Sequence, residues 1–361
     1  MKNNNYGLIM AGGVGSRFWP MSTPEKPKQF LDVLGIGKSL LRLTFERLQH
    51  LIPNDQIYIL TNTSYKDLVL EQLPELNESQ VLCEPMRKNT APCIAYAAAK
   101  IHGENKDATL IITPSDHLII DKNRFCEIIE TAIETANSKK HLVTLGISPT
   151  RPDTGYGYIE FDNSNGVVPN AAYEVMRFRE KPDLETAKSF LHAGNYYWNA
   201  GIFVWNSETI LNALNEFQPD LHALFANDLS VYDNSEREVN AVYNAFDKCE
   251  DISIDFAIME HAKNVSVVLS DFDWSDLGTW GSLNQHLHKD DKNNSIIGDN
   301  VFIFNSENCQ INVPNNKLVL LDGLKDYIVV ESDQMLMVLK ASNEQELKNY
   351  LKVIENSKAG K

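Results

Sequence analysis

Residues 6–30 read YGLIMAGGVGSRFWPMSTPEKPKQF. The first six are a short apolar run, which predicts a buried strand. Gly12, Gly13 and Gly15 then allow a tight loop whose backbone N–H groups can face phosphate oxygens. Arg17 can meet an anion bidentately. Lys28 returns a second cation after a bend stiffened by Pro20, Pro24 and Pro27. Phosphoryl and nucleotidyl transfer bring two anions together, so they need such positioning and neutralisation of charge. The loop is not a Walker A motif. GKS does occur at 37–39, but Asp32 and Val33 stand where the upstream glycine would be needed.

Working outward, the pattern alternates. Helical periodicity at 39–51, 65–73, 91–101 and 124–136 separates strand-like runs at 56–60, 80–83, 109–113 and 141–145. This predicts an α/β fold of Rossmann-like type, a mostly parallel, mixed sheet with helices on both faces. Ligands in such sheets sit at the carboxyl ends of strands, so the loops after strands one, three and four come first. From about 151 to 280, strands at 157–161, 176–180, 201–205 and 265–269 interleave with helices at 184–193, 207–215 and 254–261. Beyond a polar stretch at 285–294, strands at 296–304, 318–321, 327–331 and 335–339 precede a helix at 344–354. The expected domains are 1–285, catalytic, and 286–361, small and β-rich.

Further strings carry chemistry. In ITPSDHLI, 112–119, Asp116 follows the fourth strand and can hold Mg2+, a hard ion that takes one or two protein carboxylates. In FDWSDLGTW, 272–280, Asp276 is the candidate second carboxylate, with Asp271 and Asp273 as rivals. TGYGYIE at 154–160 has glycines that permit close backbone approach. FREKPD at 178–183 offers Glu180 for sugar hydroxyls and Lys181 for a phosphate, and YWNAGIFVW at 197–205 adds Asn199 and aromatic stacking surface. In EPMRKNTAP, 84–92, Asn89 and Thr90 either read a base edge or cap the following helix.

Bulk properties narrow the partners. The net charge of −16 disfavours nucleic acid, yet the first fifty residues carry seven Lys or Arg against three Asp or Glu. One basic corner on an acidic chain fits a small anionic ligand. No apolar run reaches the length of a membrane span, and the N-terminus lacks a signal core, so the expected address is cytoplasmic. Five scattered cysteines without a CxxC pair argue against a disulfide framework and a zinc site. The nine histidines contain no HExxH pair.

Taken together, the strings at 11–30, 84–92, 114–117, 154–160, 178–182, 198–203 and 275–280 resemble the mannose-1-phosphate guanylyltransferase family of sugar nucleotidyltransferases. The likeness runs from about residue 8 to 280 and more weakly to the end. The resemblance implies the nucleotide-diphospho-sugar transferase type of sheet. It implies a nucleotide site of Leu8, Ala11, Gly12, Gly13, Gly15, Ser16, Arg17, Lys28, Asn89, Thr90 and Asp116. The sugar phosphate would meet Gly155, Tyr156, Glu180, Lys181 and Asn199. Arg17, Lys28, Asp116 and Asp276 would be catalytic, the two aspartates holding Mg2+. The implied reaction joins GTP and mannose 1-phosphate into GDP-mannose, in a homodimer. The β-rich end is similar to a small left-handed β-helix. Longer relatives carry an isomerase module, and isomerase activity is not expected here. Two rivals remain: dTTP or UTP with glucose 1-phosphate, and a non-catalytic regulatory subunit that binds the nucleotide sugar.

Overall fold

A computed structural model of the chain describes residues 4–13, 15, 18–164, 166–332 and 335–359. It divides into two units. The first comprises Met1–Gly12, Phe45–Ser115 and Ile119–Trp274; the second comprises Gly13–Thr44, Asp116–Leu118 and Ser275–Lys361. The expected domain 286–361 thus lies wholly in the second unit, together with the basic bend and Asp116–Leu118.

The strands up to residue 275 are β1 (Asn5–Met10), β2 (Ile57–Asn62), β3 (Val81–Glu84), β4 (Thr109–Pro114), β5 (Leu118–Ile119), β6 (Leu142–Ile147), β7 (Tyr158–Phe161), β8 (Ala172–Arg179), β9 (Tyr196–Asn206), β10 (Val265–Ser270) and β11 (Trp274–Ser275). Apart from the short β5 and β11, they form one sheet in the order β3-β2-β1-β4-β9-β6-β10-β8-β7. β1 to β4 are parallel neighbours, as their alternation with helices requires. β9 then enters antiparallel to both β4 and β6 and makes the sheet mixed.

β1 and β4 are buried on both faces. Leu8, Leu110 and Ile112 join the cluster formed with the helix Thr90–Glu104, while Ile9 and Ile111 on the opposite face are equally sealed. Along the helix, Ala91, Ala95, Ala97, Ala98 and Ala99 are fully buried. The segment expected as a helix at 254–261 is instead a short π-helix, Asp255–Met259. Among the described residues no helix is long and apolar enough to cross a membrane.

In the second unit, short strands stack as parallel rungs. Ser295–Ile297, Gln310–Asn312 and Tyr327–Ser332 lie in register, with Ile296 opposite Ile311 and Ile311 opposite Val329. Val301–Phe304 and Val319–Asp322 form a second ladder. The single strand expected at 296–304 is therefore two rungs in two sheets. The chain turns at Gly298, whose φ is +138° and where a Cβ would lie 3.0 Å from the Val313 carbonyl oxygen. The basic bend packs within this unit: Phe18, Leu31, Val33 and Leu40 share a core with Leu277, Trp280, Leu283, Ile328 and Val330. Phe18 and Trp280 meet ring to ring at 4.9 Å.

Candidate active site

The second unit gathers three of the four expected catalytic residues around Lys28, which is only 4% exposed. Its ammonium lies 2.9 Å from Asp116 Oδ2 and donates to the carbonyl oxygens of Asp276 at 2.8 Å and Leu277 at 3.2 Å. It also stands 5.5 Å over the Phe18 ring. A cavity of about 310 Å³ is lined by Gly15, Lys28, Asp116, His117 and Asp276 among others. Gly15 has a φ of +58°, and a Cβ there would sit 2.5 Å from Lys28 Cβ. The glycine is required for the lysine to turn inward. Ser16 and Arg17 lie outside the described residues, so nothing is said of their geometry.

Asp116 is half-buried. Burial alone would push its carboxyl up, but Lys28, His117 and the Lys28 hydrogen bond outweigh that and hold it below the usual carboxylate range. It is ionised near neutral pH. Asp276 sits in a tight turn, where its Oδ1 accepts from the Gly278 N–H at 3.1 Å and Leu277 takes a φ of +45°. The rivals go elsewhere: Asp271 pairs with Arg124 at 2.5 Å, and neither Asp271 nor Asp273 lines the cavity. Two carboxylates on one cavity match what Mg2+ asks of a protein when phosphates and water complete its shell. Among the described residues no closed cage of three or more His, Cys, Asp or Glu exists, and none is needed for that mode of binding.

In the first unit the ends of β1 and β3 flank the end of β2. Leu8 is fully buried within β1, so only its backbone is available for other work. The Ala11 carbonyl accepts from Thr61 Oγ1 at 3.0 Å. A Cβ on Gly12 would stand 3.5 Å from Glu84 Oε1. Glu84 closes β3, is 7% exposed, and burial pushes its carboxyl up to about 7 against the opposing pull of Arg87. Asn89, with φ +64°, caps the helix Thr90–Glu104 by accepting from the Thr90 N–H. Thr90 Oγ1 accepts from the Ile254 N–H at 2.8 Å. Asn89 thus makes the capping bond that was the alternative to reading a base, while the Thr90 hydroxyl instead bonds a distant backbone N–H. Glu84 escaped sequence reasoning because a glutamate at a strand end ordinarily reads as solvated surface.

The acceptor candidates also lie in the first unit. The Gly155 N–H donates to Asp153 Oδ1, and the Tyr156 ring packs 5.0 Å from Trp198 and 5.5 Å from Trp274. Gly157 leaves space that Glu180 fills, since a Cβ would meet Glu180 Oε2 at 2.5 Å. Lys181 Nζ pairs with Glu180 Oε1 at 2.6 Å, and the Asn199 N–H donates to the Gly157 carbonyl. Gly157, Glu180, Lys181 and Asn199 are therefore neighbours. The expected stacking surface at 197–205 is not offered by its tryptophans: Trp198 and Trp205 are buried in packing. Asp255, which bonds Asn199 Nδ2 at 2.8 Å, carried no sequence signal beyond its residue type.

A family model for nucleotidyl transferases matches residues 6–293. The chain belongs to that family, among the mannose-1-phosphate guanylyltransferases. A mannose-1-phosphate guanylyltransferase of Klebsiella pneumoniae is 36% identical over 352 residues, covering 97% of this chain and 74% of that protein. The alginate biosynthesis protein AlgA of Pseudomonas aeruginosa is 34% identical over 356 residues, covering 96% and 72%. A crystal structure described as a mannose-1-phosphate geranyltransferase from Thermus thermophilus superposes with a TM-score of 0.85 at 28% identity, covering 98% of this chain and all of that one.

Proposed function

We propose that this nucleotidyl transferase moves GMP from GTP to α-D-mannose 1-phosphate, releasing pyrophosphate and forming GDP-mannose. The observation that carries the choice of base is Glu84. Guanine presents two adjacent donors, N1–H and the N2 amino group, and one carboxylate can accept both. Uracil and thymine present a single N–H between two carbonyls, so a buried carboxylate would face acceptors. The similarity to mannose-1-phosphate guanylyltransferases supports the same pair of substrates.

In the reaction a phosphate oxygen of the sugar phosphate attacks the α-phosphorus in line, and the bond to pyrophosphate breaks. The nucleophile is already ionised, so no general base is required. Lys28 supplies fixed positive charge to the phosphates, and Arg17 is proposed to do the same from the glycine loop. Asp116 and Asp276 would hold Mg2+, which supplies charge neutralisation and orientation between the phosphates when bound. Glu180, Lys181 and Asn199 bind and orient the sugar phosphate. The reading includes a homodimer. The β-rich rungs expose Phe302, Leu320, Leu336 and Val338, apolar side chains that a second copy would cover.

The test is pyrophosphate release with GTP, UTP, dTTP and ATP against mannose and glucose 1-phosphates, in Mg2+ and after chelation. GTP with mannose 1-phosphate is expected to give the highest kcat/KM, with turnover lost on chelation and restored by Mg2+. Faster turnover of UTP or dTTP with glucose 1-phosphate would overturn the substrate assignment. Nucleotide binding without any turnover would favour the regulatory reading.

A further inference from the structure

Residues 251–261, DISIDFAIMEH, have no role in the function proposed above. Their centre is the π-helix Asp255–Met259, a wide turn that is rare and concentrates at functional sites. Each end of it grips a different acceptor residue. At the start, Asp255 Oδ1 accepts from Asn199 Nδ2 at 2.8 Å. Just past the end, Glu260 Oε1 accepts from the Glu180 backbone N–H at 2.9 Å.

The Asn199 amide is held from its other side too. Its Oδ1 accepts from Thr144 Oγ1 at 2.9 Å and from the Gly201 N–H at 3.2 Å. A backbone N–H can only donate, so the amide oxygen is fixed on that side. An amide oxygen has two lone pairs and its nitrogen two hydrogens. The oxygen is filled by the protein, one hydrogen goes to Asp255, and among the described residues nothing takes the other N–H, which remains to offer. Asn199 therefore presents a ligand with a donor and no acceptor. The arrangement is held at a cost: burial, and then the nearby Glu180 carboxylate, push Asp255 up to about 7. Carboxylates kept close together in this way are a mark of recognition sites.

We propose that Asp255 is the positioning residue of acceptor recognition: it aims the remaining Asn199 N–H at one oxygen of a hexose 1-phosphate and so makes that oxygen a requirement. The proposal rests on the assignment of Glu180, Lys181 and Asn199 to the sugar phosphate.

Three variants decide it: D255A, D255N and the exchange N199D/D255N. Each is assayed for the KM of mannose 1-phosphate and of GTP, for Tm, and for calorimetric binding of mannose 1-phosphate. D255A should raise the acceptor KM by about tenfold or more while the GTP KM stays within about twofold. D255N can still accept the bond through its amide oxygen and should recover most of that loss. The exchange keeps one carboxylate, one amide and the bond between them, but position 199 then offers no N–H. It should keep its Tm and still show the raised acceptor KM. An exchange variant with the wild-type acceptor KM, or D255A with an unchanged one, overturns the proposal. Should D255A fail to fold, D255N and the exchange variant still decide. Wild-type protein that neither turns over nor binds any hexose 1-phosphate sinks the functional assignment together with this inference. Normal wild-type turnover with an indifferent Asp255 sinks the inference alone.

Discussion

Lys28 Nζ stands 2.9 Å from Asp116 Oδ2 and 2.8 Å from the Asp276 carbonyl oxygen, so a single buried ammonium ties the Asp116 carboxylate and the Asp276 backbone to the basic bend. The tie is partly structural and partly chemical, and substitutions separate the two. Removing the charge in K28M leaves Asp116 and two carbonyls without their donor. The pair is not fully sealed, since the Asp116 side chain is 33% exposed, so the stability loss should be about 1–3 kcal/mol, below that of a fully buried pair. D116N keeps the shape and one acceptor oxygen. It loses the charge pairing but not the hydrogen bond, so it should lose less stability than K28M, while turnover falls by about 100-fold or more. Paired Tm and pyrophosphate-release measurements read both effects. D116N with near-normal turnover in Mg2+ would contradict the catalytic assignment.

Two glycines of positive φ give a controlled comparison. Gly15 at +58° faces Lys28, with a virtual Cβ 2.5 Å from Lys28 Cβ and 3.0 Å from its backbone nitrogen. Gly37 at +79° meets nothing within 4 Å. G37A bears only the backbone penalty, about 1 kcal/mol, and should retain activity. G15A bears the same penalty and must also displace Lys28, so its kcat should fall by about tenfold or more. Equal activity in the two variants would mean that the inward turn of Lys28 does not matter for turnover.

The raised Glu84 carboxyl makes stability depend on pH in a definite direction. Below about pH 4.5, its ordinary value, the group is protonated in the folded and unfolded chain alike. As pH rises from there to about 7, the unfolded chain releases the proton first, so folding stability falls through this window. Above about 7 the full cost of a buried carboxylate is present. E84Q carries no charge and should be more stable than wild type at about pH 8, by about 1–3 kcal/mol, with the gap closing towards pH 4.5. The same substitution should weaken GTP more than ITP, which lacks the N2 amino group, so that preference for GTP over ITP shrinks. Denaturant melts across pH and a GTP/ITP comparison check the two halves. A wild-type chain that gains stability from pH 5 to 8 relative to E84Q would reverse the argument.

Much of this was legible because it is local. Glycines after an apolar run, proline-spaced cations and an aspartate after a β-branched strand each announce themselves within a few residues. Lys28 and Asp116 stand out in this way, Asp276 is set apart from Asp271 and Asp273 only by the family resemblance, and the three share a cavity. What the sequence hid depends on partners far along the chain. The Thr90 hydroxyl accepts from the N–H of Ile254, 164 positions away, which no local pattern discloses. Asp255 and Glu84 looked like ordinary acidic residues until burial and neighbours gave them perturbed carboxyls. The run at 254–261 has helical spacing, but the π geometry that sets Asp255 against Asn199 emerges only from packing. At Gly298 an apolar stretch that reads as one strand is cut by a turn only glycine can make comfortably.

The second unit is assembled from Gly13–Thr44, Asp116–Leu118 and Ser275–Lys361. During synthesis on the ribosome the corner around Lys28 therefore cannot close in stages. Nascent polypeptide that has emerged only as far as the end of the nine-stranded sheet already contains Lys28 and Asp116, but the two carbonyls that seat the lysine, and the Trp280 that backs Phe18, have yet to leave the exit tunnel. Closure of this corner waits for translation to pass Trp280.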